Sequence, residues 1–399
     1  MHKYLKSINL IFIALAAALG VQATQSKADV SSIHLPKGFT IKVFADANTK
    51  HGELLENARF MAFDKNGDMY VSIAKAGKIV KVIDINRDGI ADDIQTVVKN
   101  LNLPQGMVFL DDVLLLANQD GVVKVEGLFA PPSRKQVVKV TPFISNLAVG
   151  WHTLKTIKLS PDGYLYINVG SSCNVCVEAD ASRATILRYT LDGKPAGALL
   201  TLGRHQQSAI WAHGLRNSQG FAWHPTSGEM FATNNGSDMR SEAKGGKIND
   251  GLPPEHLNKI EAGKHYGWPY CWGNQVQDPN FVGEKEFCKT TQAPAITFIS
   301  HATPIGITFL GESMFPEVYK NGAIVALHGS WNREQKSGYK LVHVKFDAKA
   351  KPTEVEDFAT GWLEGNQAWG RPVDAVVGTD GALYVSDDSA HAIYRITYQ

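Results

Sequence analysis

Arg59-Phe-Met-Ala-Phe-Asp-Lys-Asn-Gly-Asp-Met-Tyr-Val-Ser72 reads as a strand, an Asn66-Gly67 turn and a second strand. Apolar and polar residues alternate on both sides of a dipeptide that tolerates positive φ, which is the pattern of a tight hairpin. A third strand is expected at 77–82. The same unit recurs from Pro104, with strands near 113–116 and 121–125. It recurs from His152, with an Asp162-Gly163 turn and strands at 165–169 and 184–189. A fourth copy starts at Asn217, with a Ser227-Gly228 turn and strands at 230–233 and 257–260. The fifth starts at Pro304, with an Asn321-Gly322 turn and strands at 323–327 and 338–344. The sixth starts at Arg371, with an Asp380-Gly381 turn and strands at 383–386 and 392–397.

One such unit cannot bury both faces of its sheet, so the copies must stack around an axis. The sequence therefore predicts an all-β, six-bladed β-propeller. The last unit reaches the C-terminus one strand short, and the strand expected at 39–44 completes it and closes the ring. Successive units start between 45 residues (Arg59 to Pro104) and 87 residues (Asn217 to Pro304) apart. Units three to five thus carry long insertions, expected at one face near the axis.

Composition agrees with one large closed architecture. The chain has 399 residues, 44% hydrophobic and 20% charged, which excludes a disordered chain. Forty basic residues against 39 acidic ones argue against a general nucleic-acid binder. Lys3 and Lys6, the apolar run Ile8 to Val21 and then Val21-Gln22-Ala23 have the form of a secretory signal peptide. Cleavage is expected after Ala23, giving residues 1–23 as signal, 24–37 as lead-in and 38–399 as a single propeller domain. The expected location is a bacterial periplasm, with no stable membrane insertion. Removing two lysines and no acid leaves 38 basic against 39 acidic residues.

Export permits disulfides, and the four cysteines are expected to pair locally, Cys173 with Cys176 and Cys271 with Cys288. A c-type haem needs histidine directly after CxxC, where Val177 stands. Neither GxGxxG, a P-loop nor GxSxG is present. The run Asp84-Ile-Asn-Arg-Asp88-Gly has the spacing of a calcium loop, but Gln95 stands where a bidentate glutamate is expected. A solvated turn between blades is the preferred reading.

In a propeller the innermost strand of each blade starts at the central mouth. The residues there are Arg59, Gln105, His152, Arg216-Asn217, His301 and Arg371. Three arginines and two histidines converging on one channel predict an anion-binding cavity with a candidate base.

At these residues the sequence resembles the pyrroloquinoline quinone (PQQ)-dependent soluble glucose/sorbosone dehydrogenase family. The blocks that carry the resemblance are Gly150-Trp-His152, Leu159-Ser-Pro-Asp-Gly163, His213-Gly-Leu-Arg-Asn217, Gln219-Gly-Phe-Ala-Trp-His-Pro225, Asn235-Gly-Ser237, Leu257-Asn258 and Tyr266-Gly-Trp-Pro269. Ser171-Ser-Cys-Asn-Val-Cys176, His328-Gly-Ser-Trp-Asn-Arg333 and Trp369-Gly-Arg-Pro372 are more similar to its sorbosone dehydrogenase branch.

The resemblance implies PQQ lying across the axis and accepting a hydride at its C5 carbonyl from the C1 carbon of an aldose or a sorbosone-like keto-aldehyde. It implies His152 as general base and Arg216 as the donor that stabilises charge at the C5 oxygen. Arg59, Asn217 and Arg371 become cofactor contacts, and Arg333 takes the place of a lysine. Trp151 is placed to stack on a ring. The resemblance also implies a Ca²⁺ held by the backbone oxygens of Gly236 and Ser237. Trp369 and Arg371 stand where the glucose enzymes have two arginines, and Glu255-His256 replaces an Asp-Glu pair. Electrons are expected to pass to a separate acceptor, a quinone or a cytochrome. The competing expectations are a lactonase-type propeller hydrolase, which needs a metal ringed by acidic and amide side chains, and a non-catalytic ligand-binding propeller.

Overall fold

The computed structural model describes residues 28–129, 137–199 and 207–399. The expected signal segment lies outside them. Among the described residues six four-stranded antiparallel sheets follow one another. Blade one comprises Ala58–Phe63, Met69–Ile73, Lys78–Ile83 and Asp93–Val98, and blade two Met107–Leu110, Val113–Asn118, Gly121–Glu126 and Lys139–Ser145. Blade three comprises Ile157–Leu159, Leu165–Val169, Thr185–Tyr189 and Ile210–His213. Blade four comprises Phe221–Trp223, Met230–Asn234, Glu255–Ile260 and Ile296–Phe298. Blade five comprises Pro304–Phe309, Ala323–Leu327, Lys340–Phe346 and Pro352–Ala359. Blade six comprises Pro372–Val377, Leu383–Asp387, Ala392–Tyr398 and the N-terminal strand Phe39–Ala45.

The ring closes as the sequence predicts. Thr40, Ile41 and Val43 pair with Thr397, Ile396 and Tyr394, and the two threonine hydroxyls lie 2.9 Å apart. The largest departure from the expected strands is in blade five. Its third strand starts at Lys340 and not at Gly338, because a positive φ at Gly338 and Tyr339 turns the chain before pairing begins. Its first hairpin also carries a helical turn, Glu317–Lys320, ahead of Asn321-Gly322.

Apolar residues form one cluster per junction between blades. Tyr70, Ile79 and Val98 of blade one pack with Met107, Leu114 and Val125 of blade two. Phe231 and Leu257 of blade four meet Ile307, Val325 and Val342 of blade five, and the other four junctions are built alike. Truncating a fully buried ring such as Phe231 removes packing from two blades at once, a loss of about 3–5 kcal/mol.

The innermost strands crowd the axis, where Phe60, Ile305 and Val373 meet. A Cβ on Gly220 would lie 1.8 Å from the Ile305 carbonyl oxygen, so only glycine allows that approach. A repeated polar side chain in the second strand fixes the innermost one. Ser72, Asn168, Thr233 and Ser386 accept the backbone N–H of Phe60, Thr156, Gly220 and Asp374 at 3.0, 2.6, 3.2 and 3.2 Å. These bonds satisfy donors that irregular pairing at the axis leaves over.

In this topology the start of each first strand and the end of each second strand lie at the same end of the ring. The segments 170–184, 235–254 and 328–339 therefore all gather there, as expected of the insertions in units three to five. Residues 261–295, with the helix Lys285–Thr290, leave from the far end of blade four but return to this one, where Trp268 donates to the Asn174 carbonyl at 3.2 Å.

Candidate active site

His152 lies just before the first strand of blade three, against the end of its second strand. A Cβ on Gly170 would sit 2.4 Å from the His152 Cβ, so glycine there admits the histidine. His152 Nδ1 is 2.8 Å from Ser171 Oγ and 3.1 Å from the Ser171 carbonyl oxygen. The Ser171 hydroxyl gives its one proton to the Cys173 carbonyl at 2.8 Å, so both neighbours of Nδ1 act as acceptors. Nδ1 must carry the proton, and Nε2 presents a lone pair. Burial and then the Arg216 charge push the imidazole pKa from 6.5 down to about 3.

Nε2 belongs to a ring that lines a cavity of about 380 Å³ together with Arg59, Trp151, Asn217, Gln219 and Asp388. Its size is within the range of small-molecule sites, roughly 300–1,000 Å³. Among the described residues Asn217 Oδ1 is buried here with no partner, a polar atom for a ligand to satisfy. Arg59 donates to Asp388 at 2.7 Å, to Gln105 at 3.3 Å and to Gln219 at 3.4 Å. Trp151 is 71% exposed at the rim.

Arg216 is only 3% exposed. It donates to Asp238 at 2.8 Å and to the carbonyl and side-chain oxygens of Asn174 at 3.1 and 3.0 Å. Asp238 also accepts from Asn332 at 2.8 Å, and His301 stands 3.9 Å away. Behind this pair Glu255 is fully buried, which pushes its pKa up to about 7, and it accepts the N–H groups of Gly236 and Thr303.

Among the described residues no donor reaches the carbonyl oxygens of Gly236 and Ser237, and Asn235 Oδ1 nearby is buried without a partner. Hard oxygens left without donors fit Ca²⁺. Cys173 pairs with Cys176, and Cys271 with Cys288, as the spacing suggests.

A family model described as TrAA12-like matches residues 34–399. The chain belongs to that family. A relative from Borreliella burgdorferi, described only as an uncharacterized protein, is 28% identical over 100% of this chain and 98% of its own length. A pyrroloquinoline quinone-dependent pyranose dehydrogenase of Coprinopsis cinerea is 24% identical over 62% of this chain, which corresponds to 39% of that larger protein. Solved structures share the fold. A calcium structure of a Trichoderma reesei protein of carbohydrate-active family AA12 aligns with a TM-score of 0.76 at 19% identity, covering 95% of this chain and 99% of that one. The holo pyranose dehydrogenase PQQ domain of Coprinopsis cinerea gives 0.73 at 19% identity over 92% and 97%.

For this TrAA12-like propeller the expected anion site needs one correction. Arg59, Arg216 and Arg371 do gather at one end, but they do not form an unpaired basic ring. Asp388 and Asp238 each neutralise one guanidinium, leaving three positive charges against two negative ones. Arg371 donates to the carbonyls of His328 and Gly329 at 3.3 and 2.9 Å. Arg333 is not brought to the cavity, because its guanidinium donates to the carbonyls of Gln335 and Ser300, each at 3.0 Å. From the same block it is His328 that joins the cluster, 2.9 Å from Asp388. His301 instead belongs to the Asp238 side.

Sequence reasoning missed Ser171, Asn174, Asp238, Glu255, His328 and Asp388. A signal was available for two of them. Two places beyond the repeated polar residue of the second strand stand Ala74, Gly170, Asn235 and Asp388, with His328 in the equivalent place of blade five. These strand ends reach the same mouth as the first-strand starts.

Proposed function

We propose that this chain is a periplasmic, PQQ-dependent dehydrogenase that oxidises a sugar carbinol, either an aldose or a sorbosone-like keto-aldehyde. The observation that carries the reading is His152 with a base-ready Nε2, set in the same cavity as Arg59 and the unsatisfied Asn217 Oδ1. A curated relative and a solved structural neighbour, both from Coprinopsis cinerea, are named as a PQQ-dependent pyranose dehydrogenase and its PQQ domain. The basic-then-apolar N-terminal stretch and two disulfides support export.

PQQ, when bound, supplies a two-electron acceptor for the hydride of a carbinol carbon. Arg59 would hold one of its carboxylates, and its long bonds to Gln105 and Gln219 are the ones a ligand can replace. Asn217 would accept or orient a ligand group through its amide. Ca²⁺ would lie on the carbonyls of Gly236 and Ser237. His152 takes the hydroxyl proton at Nε2. A base of such low proton affinity does this as the hydride leaves, when the hydroxyl becomes that of a protonated carbonyl. The proton then passes to solvent through the open mouth, and a separate quinone or cytochrome would accept the electrons.

The lactonase reading loses support because both oxygens of Asp388 and of Asp238 are engaged by protein donors. Titrating the protein with PQQ and Ca²⁺ tests the proposal. A bound-quinone absorbance that an aldose bleaches is the expected result, and no binding at saturating PQQ overturns it.

A further inference from the structure

His152 and Arg216 enter from two different blades, yet one loop orients both. Ser171 fixes Nδ1 of His152 through its hydroxyl and carbonyl oxygens. Three residues on, Asn174 accepts Arg216 Nε on its carbonyl at 3.1 Å and Arg216 Nη2 on Oδ1 at 3.0 Å. The same Oδ1 accepts the Asp238 N–H at 2.8 Å, and Nδ2 donates to the Asp238 carbonyl at 2.9 Å. Trp268 adds a fifth bond to the Asn174 carbonyl at 3.2 Å. Residues 170–184 form no helix or strand, so secondary structure does not supply this order.

The Cys173–Cys176 bond closes a four-residue ring around Asn174, with the two Cα atoms 6.2 Å apart. The Cys173 carbonyl takes the Ser171 hydroxyl proton, which ties the ring to the histidine. Glu178 anchors the other flank by accepting the N–H and hydroxyl of Ser172 at 2.6 and 2.7 Å. A short covalent ring limits the conformations open to the chain around it.

We infer that Asn174, held by the Cys173–Cys176 ring, is the positioning residue of this site, and that opening the disulfide releases both Arg216 and His152. The inference rests on the reading of His152 and Arg216 as site residues, but its readout does not require turnover. Both cysteines are half-buried, whereas Cys271 and Cys288 are buried, so a dithiol reaches the former pair first. The exchange is balanced: the dithiol gives up two electrons and two protons and becomes a disulfide, and Cys173 and Cys176 each gain a thiol hydrogen.

The test uses the full chain with ¹⁵N-labelled histidine and arginine, with His152→Gln and Arg216→Lys to assign resonances. In the oxidised protein the His152 ring nitrogens report a proton fixed on Nδ1. After dithiothreitol, with reduction at Cys173 and Cys176 verified by alkylation and mass, the resonances shift toward a mixture of tautomers. The Cys173→Ala/Cys176→Ala variant shows the same. Asn174→Ala removes the Oδ1 acceptor, so it moves the Arg216 Nη2 resonances and leaves the His152 tautomer in place, and Asn174→Asp, which keeps the Oδ1 acceptor, restores the arginine signal. Where PQQ binds, Asn174→Ala weakens it about tenfold, roughly 1.4 kcal/mol.

A His152 spectrum unchanged after reduction overturns the inference, as does an Arg216 signal unchanged in Asn174→Ala. A wild-type protein that fails to bind PQQ overturns the proposed function alone, since both resonance tests still decide this one.

Discussion

Arg59–Asp388 and Arg216–Asp238 are two buried arginine–aspartate pairs with nearly equal contacts, 2.7 and 2.8 Å. Their surroundings differ. Arg59 borders the open cavity, and its remaining nitrogens reach two glutamine side chains over long bonds. Arg216 is sealed behind a disulfide-closed loop and spends two further nitrogen contacts on Asn174. The first pair can exchange weak partners for a ligand. The second is tied down at Nε and Nη2, and its charge helps to hold the His152 imidazole neutral.

Removing one carboxylate from each pair gives the sharpest test of this contrast. Asp238→Ala strands a guanidinium that water cannot reach, so urea denaturation should show a loss of about 3–5 kcal/mol. Asp388→Ala leaves Arg59 facing a wet cavity, so the loss should be about half that. Equal losses would mean that the two pairs are alike.

The next effect is catalytic. His152→Gln keeps the ring's approximate volume but has no base, so kcat/KM for the best sugar should fall by about 10²–10⁴ with little change in PQQ affinity. A rate within threefold of wild type would remove His152 from the chemistry. The pH profile follows from the same residue. An ordinary histidine base loses activity as pH falls through about 6.5. Here the folded-state pKa is depressed to about 3, and the neutral form exists above it, so base-limited activity should stay flat from pH 7.5 to 5 and fall only well below that. An acid limb near 6.5 that disappears in His152→Gln would show that the imidazole is not depressed.

The contrast between the pairs also explains what could be read from the sequence. Repetition makes a propeller legible: the strands at 165–169 and 323–327 were placed to the residue, and the orphan strand at 39–44 paired with the last blade. The arginines and His152 were legible because they lie at or just before first strands, where the repeat fixes the register. Their carboxylates went unread. Asp388 directly follows a second strand, where the repeat does carry a signal, but Asp238 lies in an insertion with no periodicity. A net charge of +1 cannot reveal whether each arginine carries its own counter-ion. In the returning segment 261–295 the disulfide was expected, but the path of the chain was not, since its short helix matches no repeat.

The smallest effect concerns the rim. Trp151 is 71% exposed and adjoins the base, while the Arg59 cluster holds the floor of the same cavity. If Arg59 supplies charge recognition and Trp151 only an apolar face, the two should separate kinetically. Arg59→Met should weaken PQQ binding about 10–100-fold, because a charge-assisted bond is lost and Asp388 is left without its cation. Trp151→Ala loses only ring contact, about 0.5–1.5 kcal/mol, so KM for the sugar should rise a few-fold while kcat holds. Steady-state kinetics at saturating PQQ measure the second, and absorbance titration the first. A Trp151→Ala enzyme that loses kcat and keeps KM would place the indole against the transition state and would make the rim, not the floor, the discriminating surface.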